Sequence, residues 1–263
     1  MRIADRVFVV TGAGNGMGRE VAAELARRGA HVAAVDRDRS GLAVTADRVR
    51  AAGGRVSTHE LDITDAAAVA ALPDAVLGEH GRVDGLVNIA GIAQRFALFG
   101  DLDDADAERV TAVNYLGTVH MCRAFLPLLL SRPQANITNM ASLAALVPFA
   151  SQLLYSASKG AVKQFSEGLE AELADTNVRV MTVFPGQVST NLAQNSGVEM
   201  LDAKGRKAPI TKPQTAGRRI VAGIARDRYR VIIGTDARVL YAMSRIAPRR
   251  TARIVAKQIK SVL

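Results

Sequence analysis

Tyr155 and Lys159 stand four residues apart at the start of a helical pattern, which puts the phenol and the ammonium on one helix face. A free tyrosine ionises near pH ~10 and is a poor base at neutrality. An ammonium beside it favours the phenolate, and each unit of lowering corresponds to about 1.4 kcal/mol. The pair has the makings of an acid/base, although two neighbouring surface residues would read the same way. A second chemical feature lies near the N-terminus. Thr11-Gly12-Ala13-Gly14-Asn15-Gly16-Met17-Gly18 follows an apolar run and opens a helical pattern. Glycines there let the backbone turn sharply and approach a pyrophosphate, and the helix N-terminus offers N–H groups with partial positive charge. Asp36 comes eighteen residues after Gly18, close to the spacing at which an acid accepts hydrogen bonds from ribose hydroxyls. A carboxylate there repels a 2′-phosphate and favours NAD over NADP. The adjacent Arg37 could pair with that phosphate and keeps the second cofactor open.

Elements of alternating type must position these groups. Strand patterns run from Arg6 to Val10, His31 to Val35, Arg55 to Leu61, Val83 to Ile89, Asn136 to Met140, Val178 to Phe184 and Arg230 to Ile233. A helix carrying Val21, Ala22 and Leu25 ends at Gly29, and further helices are predicted at about 40–52, 65–79, 104–130, 155–174 and 213–226. Apolar strands separated by helices predict an α/β fold, a doubly wound parallel sheet flanked by helices in one domain over 1–263. Residues 187–212 have weak periodicity and contain Gly197, Gly205 and Pro209; a loop that long is expected to cover the substrate.

With its motifs in this order and spacing, the chain resembles the short-chain dehydrogenase/reductase family over roughly residues 5–190. The T-G-x-x-x-G-x-G turn is Thr11, Gly12, Gly16 and Gly18, and Y-x-x-x-K is Tyr155 and Lys159. The family serine, thirteen residues before the tyrosine, is Ser142, and the helical asparagine is Asn114. P-G-x-V-x-T is Pro185, Gly186, Val188 and Thr190. The usual N-N-A-G is Asn88-Ile89-Ala90-Gly91, without its second asparagine, and Ala141 precedes Ser142 where a second serine is common.

The resemblance implies a Rossmann-like fold and hydride transfer between a nicotinamide cofactor and an alcohol or ketone. Tyr155 would exchange the proton with the carbinol or carbonyl oxygen, and Ser142 would hydrogen-bond that same oxygen. Lys159 would bind the nicotinamide ribose and lower the tyrosine pKa. Asn114 would position a water linking Lys159 to solvent. Gly12, Asn15, Gly16, Met17 and Gly18 would form the phosphate turn, with Asp36 and Arg37 at the adenine-side ribose and Asp62 with Ile63 at adenine. Asn88, Ala90 and Gly91 would line the cleft. Pro185, Gly186 and Val188 would turn against the nicotinamide, and Thr190 would reach its carboxamide. A homotetramer or dimer is implied as well, through the long helices near 104–130 and 155–174.

The remaining signals concern substrate, partners and location. Leu143 to Phe149, Leu153-Leu154, Phe96 and Met200-Leu201 surround the chemical residues with apolar side chains, which favours a hydrophobic secondary alcohol or ketone or simply reflects core packing. An NADPH-dependent ketone or 3-oxoacyl-type reductase is the alternative chemistry. A nucleotide-binding regulatory or membrane-associated protein with little turnover is the alternative class. The histidines His31, His59, His80 and His120 show no ligand spacing, so no metal is expected. Cys122, the only cysteine, sits in an apolar run and is expected to be a buried structural thiol. No targeting segment or bilayer-spanning run is evident, and the chain is expected to be cytoplasmic.

The 263 residues carry a formal net charge of +9, yet most of it is local. From Arg226 onward ten Lys/Arg face two acids, Asp227 and Asp236. A basic helical extension is predicted over 236–263, broken at Pro248. Ala252, Val255, Ala256 and Ile259 share one face and Arg250, Arg253, Lys257 and Lys260 the other. Its apolar side is expected to pack on the domain or a neighbouring subunit; contact with a membrane surface or acidic partner is the alternative. Nucleic-acid binding is not expected, since aromatics make up only 4% and no reading motif occurs.

Overall fold

The computed structural model describes residues 1–190, 192, 196 and 210–260. Seven strands form its sheet: β1 (Val7–Thr11), β2 (His31–Asp36), β3 (Val56–Glu60), β4 (Gly85–Asn88), β5 (Ala135–Met140), β6 (Val178–Pro185) and β7 (Arg230–Ile233). All pair in parallel, in the order β3-β2-β1-β4-β5-β6-β7. The central strands β1, β4 and β5 are buried at every residue, as strands covered on both faces must be. Edge strand β3 is partly exposed.

Helices cover both faces. On one lie α1 (Gly16–Arg27), α2 (Arg39–Ala51) and α7 (Pro213–Ala225), with Val21, Leu25, Leu42 and Ile220 packed on Phe8, Val10 and Val32. On the other lie α3 (Ala66–His80), α5 (Gly117–Leu130) and α6 (Leu153–Glu172), with Val76, Met121, Phe125 and Leu169 packed on Val9, Leu86 and Ile137. Cys122 belongs to this second layer; burial pushes its thiol up to about 12, so it is inert filling. The chain winds outward in one direction from β1 to β3, then returns to β4 on the other side of β1. Such a reversal leaves a crevice at the C-terminal ends of the strands, where ligands of this architecture bind.

Two elements differ from their sequence reading, and the tail follows its own. The helix predicted over 104–130 is α4 (Asp104–Thr111) and α5 joined by a π-helical turn at Ala112–Leu116. That turn holds Asn114, and π-turns mark positions where a side chain is aimed out of the regular ladder. Helix α6 starts at Leu153, two residues before the predicted start at Tyr155. The tail forms α8 (Thr235–Ile246) and α9 (Pro248–Lys260), broken at Pro248 as predicted. Val255 of α9 is buried in a cluster with Ala237, Leu143 and Val147, bordered by Leu146 and Phe149. The apolar side of the tail therefore packs on the domain, against the segment that follows Ser142.

Of the predicted covering loop 187–212, Val188 and Thr211, near its two ends, pair in an isolated parallel bridge. Gly197, Met200-Leu201, Gly205 and Pro209 lie outside the described residues. No helix among the described residues is long and apolar enough to cross a membrane.

Candidate active site

The crevice over β1 and β4 contains a cleft of about 240 Å³. One wall is the glycine turn, contributing Gly12, Asn15, Gly16, Met17 and Gly18. Gly12 has φ +66°, and a Cβ on it would lie 2.8 Å from the Ala90 nitrogen. A Cβ on Gly18 would strike the Gly12 carbonyl, so the helix can start this close to the turn only with glycine there. Thr11 locks the turn to the opposite wall: its Oγ1 accepts from the Ile89 and Ala90 N–H groups at 3.1 and 3.2 Å. Asn15 precedes α1 in extended conformation without a side-chain cap, whereas α2, α3 and α4 open on capping Asp38, Asp65 and Asp103. The first N–H groups of α1 are thus left to a ligand. This cradle fits a dinucleotide phosphate.

Asp36 closes the end of the cleft. Its Oδ2 accepts from Gly14 N–H at 2.8 Å and its Oδ1 from Asp38 N–H at 3.0 Å. Each oxygen keeps a lone pair that can accept from a ribose hydroxyl. Arg37, Asp62 and Ile63 line the same end, and Ala90, Gly91 and Thr190 line the other walls. Asp38, Leu61, Ile92 and Val113 line it too, positions that no motif spacing indicated. Behind the turn Arg19 donates to the Gly14 carbonyl and, at 3.2 Å, to Thr45 Oγ1; burial holds its pKa below the ordinary guanidinium value.

Asn88 is a correction. Its side chain does not line the cleft but turns into the core, where Nδ2 donates to Asn139 Oδ1 at 2.9 Å and to Cys122 Sγ at 3.4 Å. The reason is the register: Asn88 ends β4 paired with Asn139 of β5, so the two side chains stand side by side on one covered face of the sheet.

The chemical residues converge from four elements. Ser142 follows β5, and its buried Oγ accepts from Ala144 N–H at 3.1 Å. Its hydroxyl hydrogen is left to donate, and Ser142 hydrogen-bonds the Tyr155 phenol. Lys159, 4% exposed, donates from Nζ to the Met140 carbonyl at 3.0 Å and stands 6.0 Å from the centre of the Tyr155 ring. Asn114 Oδ1 accepts from Ile92 N–H at 2.9 Å, while Nδ2 donates to the Ile92 carbonyl at 3.1 Å and to Ser158 Oγ at 3.0 Å. A Cβ on Gly91 would lie 2.9 Å from Asn114 Oδ1 and 3.1 Å from Lys159 Nζ, so this glycine leaves room for both. Pro185 ends β6, and Gly186 follows it beside Asp236, whose Oδ2 accepts from Gln187 N–H at 3.0 Å.

The protonation states differ from the spacing argument. Burial pushes the Tyr155 phenol up, opposed by the hydrogen bond from Ser142. Burial also lowers Lys159 to about 8. Desolvation outweighs the help the ammonium gives the phenolate, because Lys159 is buried, the half-buried phenol is packed among protein atoms, and 6.0 Å separates Nζ from the ring centre.

One contributor escaped the sequence reading altogether. Gln94 is fully buried, and its Oε1 accepts from the Leu154 and Tyr155 N–H groups at 2.8 and 3.1 Å. Gln152, the residue before α6, does not cap the helix; its side chain donates instead to the Gln94 carbonyl at 2.7 Å. The cap of the Tyr155 helix is thus supplied from the loop after β4, which explains the early start of α6. A lone glutamine in a loop carries no local signal of such a role.

Comparisons with known proteins agree with this architecture. The short chain dehydrogenase family profile matches residues 6–200. SadH of Mycobacterium tuberculosis, itself provisionally named an oxidoreductase, is 35% identical over 266 residues, spanning 95% of this chain and 94% of SadH. A short chain dehydrogenase/reductase from Burkholderia phymatum, solved in complex with NAD, superposes with a TM-score of 0.82 at 28% identity, covering 94% of this chain and 96% of that one. A short chain dehydrogenase from Burkholderia cenocepacia J2315, solved with NADP, gives 0.80 at 29% identity, covering 97% and 99%.

Proposed function

The chain belongs to the short-chain dehydrogenase/reductase family, and from that premise we propose an NAD-dependent oxidoreductase that interconverts a hydrophobic secondary alcohol and its ketone, with Tyr155 as acid/base. The observation that carries the reading is the buried Ser142 and Lys159 with the half-buried Tyr155 between them in sequence, beside a glycine cradle that fits a dinucleotide. A bound nicotinamide cofactor supplies the hydride acceptor or donor there and a positive charge when oxidised.

The residues divide the work. The Gly12–Gly18 turn and the uncapped start of α1 hold the pyrophosphate, and the two Asp36 oxygens hold the ribose hydroxyls. Lys159 gives one hydrogen to Met140 and keeps two donors for the second ribose. Thr190, at the cleft wall, is the group for the carboxamide. In the oxidative direction Tyr155 Oη takes the hydroxyl proton of the substrate, and in the reductive direction it returns one to the carbonyl oxygen. Ser142 donates to that same oxygen and orients it. The amide of Asn114 is committed to Ile92 and Ser158, so it acts as a brace, and a water relay from Lys159 would pass its main-chain carbonyl.

The half-buried Leu146, Phe149 and Leu154, with Leu192 at the cleft, favour an apolar substrate; Leu143 and Val147 are core. Arg37 at the adenosine end favours the second reading, an NADPH-dependent reductase. A dimer or tetramer through α4, α5 and α6 belongs to the same proposal, supported by Leu116 and Leu130, 42% and 41% exposed. Tyr155→Phe tests the chemistry. Turnover of apolar alcohols should vanish while the NAD affinity read by calorimetric titration stays near wild type; retained turnover refutes the acid/base assignment.

A further inference from the structure

The tail helices present a surface that the dehydrogenase chemistry does not use. Val255 and Thr251 of α9 are buried on the domain, so the classical apolar side of this amphipathic helix is already covered. What remains outward on α8 is Arg238, Val239, Ala242, Arg245 and Ile246, a single face at helical spacing. Ile246, at the corner before Pro248, is 87% exposed, and Val239 and Ile254 are 53% and 40% exposed. Arg249, Arg250, Arg253 and Lys257 stand exposed on α9 around that corner. Among the described residues none of these cations pairs with an acid. Asp236 is the only acid beyond Asp227, and it is turned inward to Gln187 N–H.

We infer that the α8–α9 corner docks on an anionic lipid bilayer, with Ile246 entering the acyl boundary and the surrounding arginines bound to lipid phosphates. Charge decides the occupant. A second copy meeting this face symmetrically would set arginines against arginines with no acid to answer them. A nucleic acid would satisfy the cations but would leave Ile246 and Val239 facing a polar backbone. A bilayer with anionic headgroups accepts both kinds of group at once.

The test uses the whole chain and needs no turnover. Co-sedimentation with phosphatidylcholine vesicles containing phosphatidylserine is compared with phosphatidylcholine vesicles alone, at low and high salt. The protein should bind only the anionic vesicles and be released by salt. Each neutralised cation in the series Arg245→Gln, Arg249→Gln, Arg250→Gln should lower the partition coefficient about fivefold. Ile246→Ser, which keeps every charge, should lower it about tenfold. Gel filtration of that variant should match the wild type. Equal binding to both vesicle types, no binding at all, an unaffected Ile246→Ser partition, tighter binding to duplex DNA than to vesicles, or a changed oligomeric state in the variant would each overturn the inference.

Discussion

Replacing Gln94 by leucine should damage both the fold and the reaction, and the size of each effect can be worked out in advance. The side chain is 0% exposed and accepts from two N–H groups in the first turn of α6, at 2.8 and 3.1 Å. Leucine of similar size leaves both part-buried donors, and the Ser151 carbonyl to which Gln94 Nε2 donates at 3.3 Å, without that partner. Each such donor costs about 1–3 kcal/mol, so the loss is about 2–6 kcal/mol. For a chain of this size each kcal/mol moves Tm by about 2–4 °C, which gives a fall on the order of 10 °C. The second of the two donors is Tyr155 itself, so fraying there displaces the phenol. A shift of about 1 Å can cost ~100-fold in rate. Calorimetry and steady-state kinetics with NAD and an apolar alcohol would read both. Gln94→Glu keeps the acceptor and suits a helix N-terminus but puts an oxygen where Nε2 donates to the Ser151 carbonyl, so Tm should recover only in part. Its negative charge at the Tyr155 N–H should push the phenol further up and move the ascending, acid-side limb of the oxidation rate profile to higher pH. A leucine variant with Tm within a degree or two and kcat within twofold of wild type would refute the cap. A glutamate variant with an unshifted pH profile would reduce Gln94 to a purely structural role.

Asp36→Ala should weaken NAD binding and relatively favour NADP, by about 10- to 100-fold, the worth of hydrogen bonds to a charged acceptor; an unchanged ratio of kcat/KM for the two cofactors removes Asp36 from the ribose. Lys159 makes stability depend on pH. Its ammonium is lowered from the ordinary 10.5 to about 8 by burial, so between those values the unfolded chain holds more protons. Stability should therefore rise with pH between about 8 and 9, by up to about 1.4 kcal/mol per unit, before the raised Cys122 thiol opposes it, and that rise should be absent in Lys159→Met. Urea unfolding at the two ends of that interval checks this, and parallel slopes for the two proteins would contradict it.

Much of the site could be read from local order. Apolar runs alternating with helical periods specify a covered parallel sheet, because only strands hidden on both faces are apolar throughout. The glycines at 12, 16 and 18 specify a turn that other side chains could not enter, and Tyr155 with Lys159 share a face by helical spacing alone. These inferences depend on neighbours within a few residues. Distant contacts decided the rest. Asn88 turned inward because β5 set Asn139 beside it. Gln94 became the cap of α6 although some sixty residues separate it from Tyr155. The phenol rose rather than fell because packing removed water from it and from Lys159 together. The tail hid one apolar face on Leu143 and Val147 and left Ile246 outward. Burial and the choice of hydrogen-bond partner depend on what the chain brings back from far away, and spacing along the sequence carries no record of that.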